Sequence, residues 1–188
     1  MLSGGVDSTY TLIKLLKETN HTILVHHIHL VNNEERFEIE AQRVLSIIEL
    51  CRKLYRPFLY SETLIDHSNM PFFGYDIISV GFEAGIVAHS YETAYKSKVS
   101  GWTVGTCSEE GHLKKRFVYA KAACQANCFP KKAPDFFLFP PIPKYEQIQY
   151  LPKEIVNHCW TCRRPVQTKQ GVKECGRCKT CKLMKSIC

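Results

Sequence analysis

The chain has 188 residues, 45% of them hydrophobic, and a formal charge of +7. That is enough for one α/β domain of ordinary size with a small appendage. No apolar run is long enough to cross a membrane, since Asp and Lys interrupt every candidate, and there is no repeat or low-complexity tract.

The ten cysteines raise the question of a secreted disulfide scaffold, and their distribution argues against one. Six of the ten lie between Cys159 and Cys188. With no leader in the sequence, clustered C-x-x-C reads as a metal site in a reducing compartment, so a cytoplasmic location is expected. The charge is equally uneven. From Lys153 onward there are nine Lys/Arg against two acidic residues, whereas the first 152 residues carry sixteen of each sign. This basic tail reads either as a surface for phosphates or nucleic acid, or as compensation for a zinc tetrathiolate of charge −2.

In chain order, the first feature is Ser3-Gly4-Gly5-Val6-Asp7-Ser8. Glycines let the backbone reach φ > 0 and let main-chain N–H groups approach an anion. An apolar-periodic helix follows over Thr9–Glu18, with Leu12, Ile13, Leu15 and Leu16 on one face. Its N-terminal N–H groups and dipole would face the same anion. Ser3, Ser8 and Thr9 can donate to phosphate oxygens, and Asp7 can hold Mg²⁺. The segment is neither the kinase-type P-loop, which needs Lys before Ser/Thr, nor the G-x-G-x-x-G dinucleotide turn. SGGVDS resembles the PP-loop of the ATP pyrophosphatases, which cut ATP between the α- and β-phosphates. The bland alternative is a glycine-rich turn with a polar cap.

Thr22–Val31 reads as a strand, Phe37–Tyr55 as a helix, and Phe58-Leu59-Tyr60 as a short strand. Strand, helix and strand at this spacing predict βαβ units and a parallel sheet flanked by helices. His27 and His29 share one strand face, and structural histidines are the better reading there than a metal pair. Arg36, in the turn after the strand, is the better ligand candidate. Ile77–Tyr95 reads as a long helix whose Gly81, Ala84, Gly85 and Ala88 allow close packing. Ser100–Thr106 reads as a strand ending at Gly105, a third edge where ligand can bind. Lys131–Pro143 reads as loop and Tyr145–Ile155 as a weak helix broken at Pro152.

The tail carries Cys159-Trp-Thr-Cys162 and, twelve residues on, Cys175-Gly-Arg-Cys178-Lys-Thr-Cys181. Paired C-x-x-C predicts a structural tetrahedral Zn²⁺ site, one ion per chain. The ligands are either Cys159, Cys162, Cys175 and Cys178, or Cys162, Cys175, Cys178 and Cys181. A [4Fe–4S] cluster is the less favoured occupant. Cys51, Cys107, Cys124, Cys128 and Cys188 read as plain thiols.

SGGVDS together with Trp160-Thr-Cys162 and Cys175-Gly-Arg-Cys178-Lys-Thr-Cys181 resembles the 7-cyano-7-deazaguanine synthases, the QueC family. Pro141-Ile142, Lys144-Tyr-Glu-Gln-Ile and Leu151-Pro152 resemble the segment before that tail, and Val31-Asn-Asn-Glu-Glu-Arg36 the turn after the second strand. The likeness covers about forty residues at the two ends and is thin across Ser61–Phe139. It implies the second zinc set, with Cys159 spare, and a Rossmann-like nucleotide domain (1–152) bearing a zinc tail (153–188).

It further implies a ligase that adenylates the carboxylate of 7-carboxy-7-deazaguanine with ATP and Mg²⁺. Ammonia then gives the amide, and a second activation gives the nitrile, a precursor for nucleic-acid modification. Asp7 and Ser8 would be catalytic. Leu2, Ser3, Gly4, Gly5, Val6, Asp7, Ser8, Thr9, Arg36 and Gly105 would bind the nucleotide. Departures lie in the mere two residues before the loop, in Thr106–Arg116, and in the long gap between Cys162 and Cys175. Rival readings are another PP-loop enzyme, thiolating tRNA or forming amides, and a zinc-bearing regulatory module with a degenerate loop. A homodimer through the Gly- and Ala-rich helix is a further expectation.

Overall fold

The computed structural model describes residues 1–71 and 74–187, without the side chains of 111–114. Helix α1 (Val6–Glu18) leaves the glycine loop directly, three residues earlier than its apolar face predicts. Asp7 and Ser8 therefore stand in its first turn. Strand β1 (Leu24–Val31) and helix α2 (Phe37–Leu54) follow the sequence reading closely. Strand β2 (Leu59–Asp66) runs six residues beyond Tyr60 and pairs with β1 in parallel, Leu24 opposite Leu59 through Val31 opposite Asp66. The extension was hidden by polar residues that have cross-strand partners: Ser61 and Thr63 meet His26, and Glu62 meets His29.

Helix α3 (Asp76–Tyr95) packs on α4 (Phe117–Cys128), with a kinked 3₁₀ segment (Ser108–Arg116) leading into α4. The small residues of α3 set the distance. A Cβ on Gly81 would lie 2.1 Å from the Ala120 carbonyl oxygen, and one on Gly85 2.6 Å from that of Cys124. Strand β3 (Gly101–Trp102) is shorter than Ser100–Thr106 because Gly105 turns aside to press on α1, where a Cβ would be 2.2 Å from the Ser8 nitrogen. Its parallel partner β4 (Asp135–Phe136) lies within the segment read as loop, next to Pro134, as edge strands allow.

Helix α5 (Lys144–Tyr150) is separated from α6 (Lys153–Val156) at Pro152. An antiparallel hairpin, β5 (Val166–Thr168) with β6 (Gly171–Lys173), and helix α7 (Lys179–Ile187) complete the tail.

The fold is thus mixed helix and strand with small parallel sheets. Among the described residues the regular strands form three two-stranded sheets, not one large Rossmann sheet. Residues 1–3 lie between the two parallel pairs. The Leu2 amide donates to the His26 carbonyl at 2.8 Å, and the Met1 nitrogen to the Thr103 carbonyl at 3.1 Å. Single bonds of this kind fall short of a ladder. The main core joins α1, β1 and α2 to Leu151 and Ile155, a second lies between α3, α4 and Trp102, and a third sets Trp160, Cys162 and Cys181 against Ile39 of α2. Among the described residues no helix is long and apolar enough to cross a membrane.

Candidate anion site and cysteine cluster

The glycine loop forms one wall of a cavity of about 430 Å³. Only Gly4 uses the freedom expected of both glycines: its φ is +76°, while Gly5 stands at −83°. No side chain caps α1, so the N–H groups of its first turn are not engaged by a cap. Ser8 Oγ accepts from the Ser3 amide at 3.1 Å and lies 3.1 Å from Ser3 Oγ, which brings two hydroxyls to the cavity edge. Leu2, Ser3, Asp7, Ser8, Arg36 and Gly105 all line it.

Four of the expected nucleotide contacts do not line the cavity. Gly4 and Gly5 carry no side chain to place there, and Val6 has its side chain in the core. Thr9 is fully buried and does not line the cavity. Arg36 is in the cavity but already spoken for. It donates to Glu34 at 2.5 Å, to Asp76 at 3.0 Å and, more closely still, to Glu40. Three carboxylates around one guanidinium make a structural hub, not a free phosphate receptor.

The cation that reaches the loop is Lys144. Its ammonium donates to Asp7 Oδ2 at 2.9 Å across 137 residues of chain and is only 2% exposed. Burial acts to lower its pKa, and Asp7 with Cys107 and Glu110 together outweigh burial, so the group stands above the ordinary lysine value. Asp7 Oδ1 is buried with no hydrogen-bond partner. Asp7, Glu110 and Cys107 each bring a ligand atom within 4.8 Å of the others. The two carboxylates suit a hard cation such as Mg²⁺, and the sulfur does not. Sequence reasoning missed this pair and Glu110. The available signal was a lysine opening a helix directly after Pro143, where the helix dipole disfavours a cation.

On the cavity's opposite wall, Arg116 lies 4.1 Å from the Tyr75 ring centroid, and Arg163 of the tail lies 4.0 Å from Asp76. His26 is held by Ser61 at 2.8 Å and Thr63 at 3.1 Å, and His27 Nδ1 by the Leu2 carbonyl at 2.9 Å. Burial lowers both imidazole pKa values to about 4, so both are neutral structural groups.

The tail gathers Cys162, Cys175, Cys178 and Cys181 with all four Sγ atoms within 4.8 Å of one another, a cluster that can hold a metal such as zinc. Cys175 and Cys181 Sγ are 3.9 Å apart, close to the roughly 3.8 Å edge of a zinc–sulfur tetrahedron. Amide N–H groups of Cys175, Cys178 and Cys181 point at the sulfurs of Cys162, Cys175 and Cys178 at 3.2, 3.3 and 3.5 Å. Such donors favour thiolates. Gly176 turns with φ +67° between two ligands. Cys159 is not in the cluster: its thiol points to the Ile155 carbonyl, and it packs on the main core. Cys51, Cys124 and Cys128 are buried free thiols, and Cys188 lies outside the described residues. Trp160 ties the tail to the loop, its amide donating to the Gly4 carbonyl and its indole to the Cys162 carbonyl, both at 2.9 Å.

No protein-family model, curated protein or solved structure matches the chain.

Proposed function

We propose that this chain is a PP-loop ATP pyrophosphatase of the 7-cyano-7-deazaguanine synthase kind, activating a carboxylate by adenylation and amidating it. The observation that carries this reading is the uncapped head of α1, set behind Ser3-Gly4-Gly5 with Lys144 at Asp7, at the wall of a nucleotide-sized cavity. Two further features support it. The sequence of neighbours β2, β1, residues 1–3, β3 and β4 suits a Rossmann-like parallel sheet with the loop at its centre. The cysteine cluster supplies the zinc-bearing tail.

In this reading a substrate carboxylate oxygen forms a bond to the α-phosphorus of ATP, and the bond to the bridging oxygen breaks to release pyrophosphate. Ammonia then adds to the acyl carbon, and AMP leaves with its oxygen to give the amide. Repetition on the amide oxygen, with loss of AMP, gives the nitrile. The N–H groups of α1 and the Ser3 and Ser8 hydroxyls hold the departing pyrophosphate, while Lys144, buried and paired with Asp7, fixes that carboxylate. Mg²⁺ bound by Asp7 Oδ1 and Glu110 would add neutralising charge there. Among the described residues Tyr75 and Phe117 are the aromatic rings at this cavity, and a fused pyrrolopyrimidine would stack on one of them.

Purified protein given ATP, ammonium and 7-carboxy-7-deazaguanine should release pyrophosphate only when the deazaguanine is present. Folded, metal-loaded protein that releases none would end this reading.

A further inference from the structure

A second cavity, of about 680 Å³, opens between the tail and the 3₁₀ segment and shares Glu34, Glu110, Arg116 and Arg163 with the first. Among the described residues six cationic side chains line it: Arg116, Lys144, Arg163, Arg164, Arg177 and Lys179. Lys144 is spent on Asp7, and Arg163 reaches Asp76 only at 4.0 Å. Among the described residues, Arg116, Arg164, Arg177 and Lys179 face no carboxylate at ion-pair distance. Of the three acids in the wall, Glu34 is held by Arg36, and Glu109 accepts from the Lys144 amide at 3.0 Å.

Compensation for the metal accounts for little of this. A zinc tetrathiolate offsets two of the seven excess positive charges in the tail. The rest extend beyond the cavity. Lys169, Lys173, Lys182 and Lys185 are all exposed, and the Lys185 ammonium lies 3.2 Å from where a Gly176 side chain would begin, on the turn that carries Arg177. A compact anion such as pyrophosphate would engage two or three of these groups. Four cations that face no carboxylate, with four further exposed lysines in the tail, outnumber what one compact anion can neutralise and fit a polyanion. Among the described residues no aromatic side chain lines the second cavity, and its cations suit the phosphodiester backbone.

We infer that this groove binds the backbone of single-stranded nucleic acid, without base recognition and independently of turnover at the loop. The reading does not rest on the proposed ligase activity, because binding is measured without ATP. A labelled single strand of about 15 nucleotides, followed by fluorescence anisotropy on metal-loaded protein, should bind with affinity that falls steeply between about 50 and 200 mM salt. Four phosphate contacts give a log–log slope of about −3. Arg164→Ala/Arg177→Ala should weaken binding at least tenfold and flatten the slope by about 1.4, since each lost contact removes about 0.7. Zinc content measured on the same samples should stay at one per chain. Saturating pyrophosphate should compete weakly, and a polyglutamate peptide of similar charge should bind less tightly than the strand. Absence of binding at low salt, an unchanged slope in the variant with zinc retained, or equal binding of the peptide would each overturn the inference.

Discussion

The glycine loop and the cysteine tail are built on opposite plans. The loop depends on distant chain: Leu2 on His26, Asp7 on Lys144, Gly4 on Trp160, and Ser8 on the turn at Gly105. The tail's four sulfurs come from twenty residues of sequence and are arranged by its own amides and one glycine turn. Locally encoded chemistry survives changes elsewhere, whereas a loop propped from four sides fails when any prop is removed. That contrast gives an order of expected damage.

The largest effect should come from the cysteine cluster that can hold a metal. Binding energy of a structural zinc is folding energy, on the order of 10 kcal/mol in small zinc peptides. Cys178→Ser should lose the ion and expose residues 159–187 to protease, with α1 and α2 still protected. Uniform digestion of the whole chain would show that the tail is not a separate unit of stability. Lys144→Met attacks the loop instead. It strands a largely buried Asp7 carboxylate, at a cost of about 3 kcal/mol or more, seen as a lowered denaturation midpoint. In a pyrophosphate-release assay it should be as damaging as Asp7→Ala, while bound zinc stays unchanged.

Acid should loosen the sheet beside the loop. His26 and His27 have pKa values lowered to about 4 by burial, against 6.5 when unfolded. Their contribution is whole above pH 6.5 and disappears as pH falls toward 4, because the unfolded chain takes up protons that the folded one refuses. The loss is at most about 3 kcal/mol for each. Urea midpoints at pH 7 and pH 5 should differ, and His26→Gln should narrow the difference. Gly81→Ala should have the smallest effect on either site and serves as the control. Its methyl would stand 2.1 Å from the Ala120 carbonyl oxygen, so about 3 kcal/mol or more of stability should go, with zinc content and any ATP turnover intact.

The same contrast explains what could be read from sequence. The loop and the paired C-x-x-C are each written in a short stretch, so spacing pointed to both, while leaving Cys159 and Cys181 as alternatives that the resemblance decided. The choice between Cys159 and Cys181 was a matter of packing, since Cys159 is drawn into the main core by Ile155. The neutralisation of Arg36 was not legible, because Asp76 comes from forty residues away. Nor was helix α4, whose small residues lie flat on α3 and carry little periodicity. The parallel pair of β1 and β2 was legible as strand, helix and strand, but the length of β2 was not, because its polar side chains looked like loop and are partners for β1.

Trp160 joins the two plans, with one hydrogen bond to the loop and one to the chain at Cys162. Such a bridge makes the two sites thermodynamic partners. If metal at the cysteines steadies Gly4 and so favours an anion at α1, the anion must favour the metal by the same factor. Zinc affinity measured with and without ATP reads that factor directly, and equal values would mean that the bridge transmits nothing. A shared factor would make the chain a reporter of its own metal supply, holding nucleotide well only when zinc is plentiful.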